Sequence, residues 1–300
     1  SSCSIRSAGR GAQLQDGDAL SGELFIVAAQ LDKGDRDARI YAAAPVTKDD
    51  LERTFKNHIK EEQIVEWDTQ SQTVRSLNKN ILGKMTLDAS KIRNPDVDMV
   101  RGAMIKGIKK MGLDALPWNS KSLTLRKRVQ LIKESVEPEF PDFTDEALIN
   151  QLDEWLGGYL ENINSRTLLK TLDLYAILKN NLSWDQQQQL ERLTPTHMKV
   201  PSGSNISINY ETDPPVLAVK LQEMFGALDT PAILNGKKKL VVHLLSPARR
   251  PLQVTADLAG FWKNSYSEIK KEMKGRYPKH PWPDDPLEAI PTRKLKVRNK

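Results

Sequence analysis

The sequence predicts an α+β multidomain chain. A small β-barrel spans residues 1–92, a helical module 93–195, and a mixed α/β module 196–300, ending in a long helix and a basic proline-aromatic tail. Three observations carry this. Short apolar runs separated by turns fill the first 90 or so residues; a helical apolar period follows from Pro95 to about Leu193; and strand and helix signals mix after Thr196. At 300 residues, 39% hydrophobic and 28% charged, the composition is that of a globular chain of roughly two or three domains.

In the first region Leu24 to Leu31 and Arg39 to Ala44 read as apolar strands joined by the polar turn Asp32-Lys33-Gly34-Asp35. Thr47, with Asp50 three residues on, starts a short helix through Leu51 and Phe55. Ile64 to Asp68 and Thr73 to Leu82 form a hairpin around Thr69 to Gln72. Short strands around one small helix suit an OB-like β-barrel, a design that binds nucleic acid. Arg6, Arg10, Arg39 and Lys84 then fall at strand ends and loops, where a strand's phosphates are tracked.

In the helical module Val97, Val100, Met104, Ile108 and Met111 share one helix face, stopped by Gly112. Ser120 is placed to cap a helix with Leu123, Val129 and Ile132, and Thr144 one with Leu148, Leu152, Trp155 and Leu156. Ser165 opens a third through Leu168, Leu169, Leu172 and Leu178. Ser183 with Gln186 is a capping box for the last, closed by Pro195. Trp118, Trp155, Trp184 and Trp262 lie on or beside apolar faces and read as core, while Trp67 reads as core or stacking platform.

In the last module Ile206, Ile208 and Tyr210 alternate as a strand, and Leu240 to Leu245 is a continuous apolar strand. Pro214-Pro215 is placed to open a helix through Leu217, Leu221 and Phe225, stopped at Gly226. Thr255 is read as the cap of a long helix from Leu258 to Met273, ended by Gly275. The chain from Phe261 onward holds eleven Lys/Arg against five Asp/Glu, so it carries the whole net charge of +6. Within it Pro278, Pro281 and Pro283 stiffen Tyr277, His280 and Trp282 beside Arg276 and Lys279. Trp282 has two readings: a base-stacking aromatic flanked by cations, or a clasp folded onto the final helix.

Charge is segregated elsewhere too. Arg101 to Lys133 has nine Lys/Arg against Asp114 alone, and Glu134 to Glu161 has nine acidic residues and no basic one. That pattern is either a match between neighbouring helices or a phosphate-binding surface with an acidic flank. No phosphate-cradling Gly-rich loop, G-x-S-x-G elbow, H-E-x-x-H motif or dinucleotide turn occurs. The four histidines are scattered; His197 and His243 read as structural and His280 as a surface contact. The single Cys3 leaves no internal disulfide and fits a reducing compartment, cytoplasm by default, and no run approaches the roughly 20 apolar residues of a membrane span. The opening at Ser1 leads to the expectation of a piece of something longer.

Several runs resemble the C-terminal region of HrpB-type helicases, bacterial ATP-dependent enzymes of the DEAH/RHA class. They are SAGRGAQL (Ser7 to Leu14), ARIYAAAP (Ala38 to Pro45), GLDALPW (Gly112 to Trp118), PTHMKVPSGS (Pro195 to Ser204), PPVLAVKLQEMFG (Pro214 to Gly226), HLLSPARRPLQVTADLAGFWKNSY (His243 to Tyr266) and RYPKHPWPDDP (Arg276 to Pro286). The resemblance implies motor domains, a winged helix and a helical ratchet module upstream, with ATP and Mg used there and no cofactor or catalytic residue in these 300 residues. It implies single-stranded RNA or DNA and the motor domains as partners. The tail is an alternative contact for another protein, and a protein-interaction or structural brace role is the rival reading.

Overall fold

The most regular element is a three-stranded antiparallel meander over residues 59–91, whose long first hairpin turns where the sequence places it. The structure is a computed structural model that describes residues 4–6, 11–32 and 37–294. Ten α-helices and four small sheets make the described residues an α+β chain. They divide into two units, Ser1–Met111 with Leu160–Leu169, and Gly112–Tyr159 with Lys170–Lys300.

In the first unit β1 (Ser4–Arg6), β2 (Gly11–Gln13), β3 (Ile26–Leu31) and β4 (Asp37–Pro45) form a sheet in the order β1-β2-β4-β3, with β2 and β4 parallel. Then α1 (Lys48–Thr54) begins at the Thr47 cap, which accepts from Asp50 N, and buries Leu51. β5 (Ile59–Asp68), β6 (Thr73–Leu82) and β7 (Met85–Lys91) form a second, antiparallel sheet. The barrel expected here is not closed among the described residues, since no ladder joins the two sheets. Closure requires the outer strands to pair in register. Helix α1, between the two sheets in sequence, is tied to the second by Lys48, which reaches Asp88 of β7 at 2.5 Å.

The core of this unit is small because β5 is largely charged. Helix α2 (Val97–Met111) supplies much of it by burying Ala103, Met104, Gly107 and Ile108. It stops where Gly112 turns to φ +83°, a left-handed conformation that glycine adopts without steric cost. Trp67 of β5 is half-buried with its ring packed against Gly107 of α2, nearer the core reading than an open stacking platform. An added Cβ at Gly107 sits 2.4–2.8 Å from the Trp67 ring. Gly107→Ala is therefore expected to destabilise the unit by roughly 1–3 kcal/mol through overpacking, against the helix preference for alanine. Urea unfolding checks it, and a gain in stability would contradict the packing. The segment Leu160–Leu169 belongs here too: Val74 N donates to Asn164 O (2.8 Å) and Arg166 N to Gln72 O (3.0 Å).

In the second unit α3 (Ser120–Ser135) is capped by Asn119, not Ser120. The Asn119 side chain accepts from Ser122 N while Ser122 Oγ accepts from Asn119 N, since an amide oxygen one residue earlier reaches the free N–H groups. Thr144 caps α4 (Asp145–Asn150) as expected, and Gln151 then breaks the path before α5 (Leu152–Trp155). The third expected helix also divides. Ser165 Oγ accepts from Leu168 N over α6 (Arg166–Leu169), which belongs to the first unit, and Asp173 separately caps α7 (Leu174–Asn180) in the second. The Ser183–Gln186 capping box opens α8 (Trp184–Leu193), as the spacing predicts.

After α8 come β8 (His197–Lys199), β9 (Asn205–Asn209) and β10 (Val216–Lys220), the short pair β11 (Ala232–Ile233) and β12 (Lys238–Lys239), then β13 (Val241–Leu245) and β14 (Pro251–Thr255). The main sheet runs β14-β13-β10-β9-β8, with β10 and β13 parallel. The helix expected after Pro214-Pro215 is thus a strand, followed by one turn of 3₁₀ helix at Leu221–Met224. Leu217 and Val219 are both buried, a period of two that the helical reading overlooked. The long final helix is two, α9 (Leu258–Asn264) and α10 (Tyr266–Arg276), broken at Ser265. Asp257 caps α9 by accepting from Gly260 N; Thr255 bonds Asp257 itself. Gly275 lies inside α10, which ends at Tyr277.

Among the described residues no helix is long and apolar enough to cross a membrane.

Candidate nucleic-acid interface

A phosphate-binding surface needs cations that the fold leaves unneutralised. In the first unit Arg39 is exposed on β4, where its N–H donates to Asp32 Oδ1 at 2.8 Å. Lys84 is exposed in the turn between β6 and β7, beside Gly83 at φ +63°. Neither side chain has an ion pair among the described residues. They belong to different sheets of the unit. Arg6 ends β1 opposite Gly11, and Arg10 lies outside the described residues.

The basic run splits into two kinds of residue. Arg126 donates from Nε and Nη2 to Phe143 O, bridges Asp145 at 2.6 Å, and lies 4.7 Å over the Trp118 ring. Lys133 is held by the carbonyls of Pro138 and Phe140. Arg128, 2% exposed, donates to Thr194 O, Leu190 O and Glu191 Oε1. These match the run to the acidic flank and to helix ends. Lys106 and Lys109 on α2, and Lys121 and Lys127 on α3, stay exposed with no ion pair among the described residues. The match between neighbours therefore accounts for one set of these residues and leaves the other set exposed.

The tail is docked on its own unit. Trp282 is 6% exposed and its indole donates to Tyr277 O at 3.0 Å. Tyr266 OH donates to Pro283 O at 2.9 Å, Lys270 pairs with Asp284, and Gly226 N donates to Pro286 O at 3.0 Å. The bond from Lys270 holds the Asp284 carboxyl below its usual range, and burial raises the Tyr266 phenol. Of the two readings of Trp282 the structure takes the clasp: a ring this enclosed has no free face for a base. Arg276 pairs loosely with Glu272 at 3.5 Å, and Lys279 is exposed. His280 is half-buried, with its pKa lowered first by burial and then by the Lys220 charge.

Trp184 also departs from its expected place. Trp155 and Trp262 are core and Trp118 is partly covered, whereas Trp184 is 73% exposed at the start of α8. Six residues at about 100° each put it about 120° around the helix from the buried Leu190. The angle was legible once Ser183 fixed the start of the helix.

The family described as ATP-dependent helicase C-terminal (HrpB_C) matches residues 155–286. The Escherichia coli (strain K12) ATP-dependent RNA helicase HrpB is 41% identical over 292 residues, 96% of this chain and 36% of that protein. Over nearly its whole length the chain is similar to the C-terminal region of HrpB-type helicases. Two crystal structures agree in fold: E. coli DExH-box NTPase HrpB, with a TM-score of 0.66 and 38% identity over 98% of this chain and 38% of that one, and E. coli DEAH/RHA helicase HrpB, with 0.59 and 35% over 94% and 36%. The chain thus spans little more than a third of the relatives it matches. The matched family segment runs from the end of α5 to the tail clasp.

Proposed function

We propose that this chain is the non-catalytic accessory region of an HrpB-type ATP-dependent helicase, holding single-stranded RNA and bracing the motor that uses ATP. The observation that carries the reading is the 41% identity to an E. coli ATP-dependent RNA helicase across 96% of this chain. RNA is the nucleic acid in that relative's name. The first unit, with its two small sheets, is the OB-like part of the proposal, and its exposed cations Arg39, Lys84, Lys106 and Lys109 are the phosphate partners. Arg276 and Lys279 add a second basic patch on the tail.

Affinity of the chain for a labelled single-stranded RNA, measured across salt concentration, tests this. Each phosphate contact contributes a slope of about −0.7 in log affinity against log salt. Arg39→Ala with Lys84→Ala is expected to flatten the slope by about 1.4. Affinity independent of salt and of these cations would refute the RNA reading.

The rival, a brace or protein-interaction module, is favoured by one observation. Val27, Leu31 and Tyr41 expose apolar surface on the paired strands β3 and β4. Salt-insensitive binding to the motor region, without RNA binding, is the outcome that selects it.

A further inference from the structure

We propose that the solvent face of α8 seats a base of single-stranded RNA, with Trp184 as the stacking platform. The inference rests on the RNA-binding reading above and adds a site remote in sequence from the OB-like part. The Ser183–Gln186 capping box holds the first turn from both sides: Ser183 N donates to Gln186 Oε1 at 2.9 Å and Gln186 N to Ser183 Oγ at 3.2 Å. The backbone under Trp184 is therefore fixed while its ring, 73% exposed, remains open. Leu190 and Leu193 commit the opposite side of the helix to the core.

Trp184, Gln188 and Arg192 recur every four residues, so they form a row about 12 Å long at 1.5 Å per residue. Asp185 and Gln189 run beside it. Asp185, Gln188, Gln189 and Arg192 line a shallow cavity of about 390 Å³. Gln189 Oε1 is shielded from solvent there without a hydrogen-bond partner. Arg192 has no ion pair among the described residues.

The chemistry of this face selects a base over a protein surface. Single-stranded RNA is recognised by unstacked bases laid on aromatic rings and bonded along their edges. A glutamine amide both donates and accepts, so the exposed Gln188 can bond a base edge, and the exposed Asp185 carboxylate accepts from an exocyclic amino group. Arg192, at the far end of the row, meets a neighbouring phosphate. A stable protein contact needs about 800 Å² on each partner. A tryptophan brings at most about 250 Å², and no other large apolar side chain of α8 is exposed.

The test compares binding of a short fluorescein-labelled single-stranded RNA by the 300-residue chain and by Trp184→Ala, Trp184→Phe and Arg192→Gln, with exposed Leu228→Ala as control. Trp184→Ala is expected to weaken binding roughly 5- to 100-fold, the loss of one stacked base, with an unchanged melting temperature. Trp184→Phe keeps most of the affinity, and Arg192→Gln flattens the salt slope by about 0.7. If the unaltered chain binds RNA with a clear salt slope while Trp184→Ala stays within twofold of it, this site is wrong and the RNA reading stands. If the unaltered chain binds no RNA, both fall. Should Trp184→Ala leave RNA affinity intact yet abolish association with the purified motor region, α8 is a protein contact and the assignment is overturned.

Discussion

Trp282→Ala is expected to destabilise the second unit by about 3–5 kcal/mol, the usual cost of truncating a buried tryptophan. The indole is 6% exposed and its N–H donates to Tyr277 O, so the substitution opens a void and removes one of the two bonds to that carbonyl, which keeps the one from His280 N. The same side chain holds a segment that closes at three further points, Tyr266 to Pro283, Lys270 to Asp284 and Gly226 to Pro286. Losing it frees the tail as well as emptying the site. For a unit of this size the melting temperature falls by something of the order of 10 °C. Calorimetry checks it. Arg276→Ala with Lys279→Ala is the matched control, because both side chains are exposed. The pair is expected to leave the transition within a degree or so, consistent with surface substitutions. A small effect of Trp282→Ala would mean that the tail adds little to the unit and that the clasp is incidental.

Arg128→Ala is expected to cost roughly 3–4 kcal/mol. Arg128 is 2% exposed and donates to Thr194 O at 2.5 Å, to Leu190 O at 3.3 Å and to Glu191 Oε1 at 2.9 Å. It closes the C-terminal end of α8, whose last carbonyls have no partner within the helix. Leu190 O keeps bonds from Thr194 N and Oγ1, so the group left unpaired is Thr194 O. A buried orphan of that kind costs about 1–3 kcal/mol, and the void of a large side chain adds to it. Arg128→Lys is expected to recover only part, since an ammonium cannot reproduce the guanidinium fork. Glu191→Ala, at a carboxylate whose side chain is 58% exposed, is expected to cost less than about 1 kcal/mol. Equal losses for Arg128→Ala and Glu191→Ala would show that the ion pair, not the carbonyl cap, holds the helix end.

Much of the secondary structure was legible because local signals and tertiary demand agreed. Helix α2 up to Gly112 and the Thr47, Thr144 and Ser183 starts rest on bonds between residues no more than four apart, and the β5–β6 hairpin on a short turn with neighbouring strands. No distant partner is needed to satisfy them. Errors of one or two residues in a cap, Ser120 for Asn119 and Thr255 for Asp257, arose because nearby oxygens compete for the same N–H groups. The break at Ser265 left no strong local mark, so one long helix was expected where α9 and α10 stand.

The candidate site was less legible. Exposed Arg39 and Lys84 sit where strand ends and turns put them, yet sequence cannot distinguish a cation that awaits a phosphate from one already matched. Arg126, Arg128 and Lys133 look alike in sequence to Lys121 and Lys127, and only packing showed which are held by carbonyls and carboxylates. Trp184 is open where core was expected, and the two readings of Trp282 could not be separated, for a related reason: hydrophobicity ranks a tryptophan's preference for burial without saying which faces are available to cover it.

The amino-acid sequence alone determined the α+β class, the change of period near residue 95, the helix starts set by short-range caps, and the resemblance to the C-terminal region of HrpB-type helicases. Tertiary structure alone decided that Val216–Lys220 is a strand rather than a helix, because β13 lies alongside as a parallel partner. It alone decided that no ladder joins the two N-terminal sheets among the described residues, that Trp282 is enclosed, and that Trp184 is open. Each of these depends on long-range contact, where burial and backbone pairing with distant segments outweigh local preference by several times the few tenths of a kcal/mol at stake per residue.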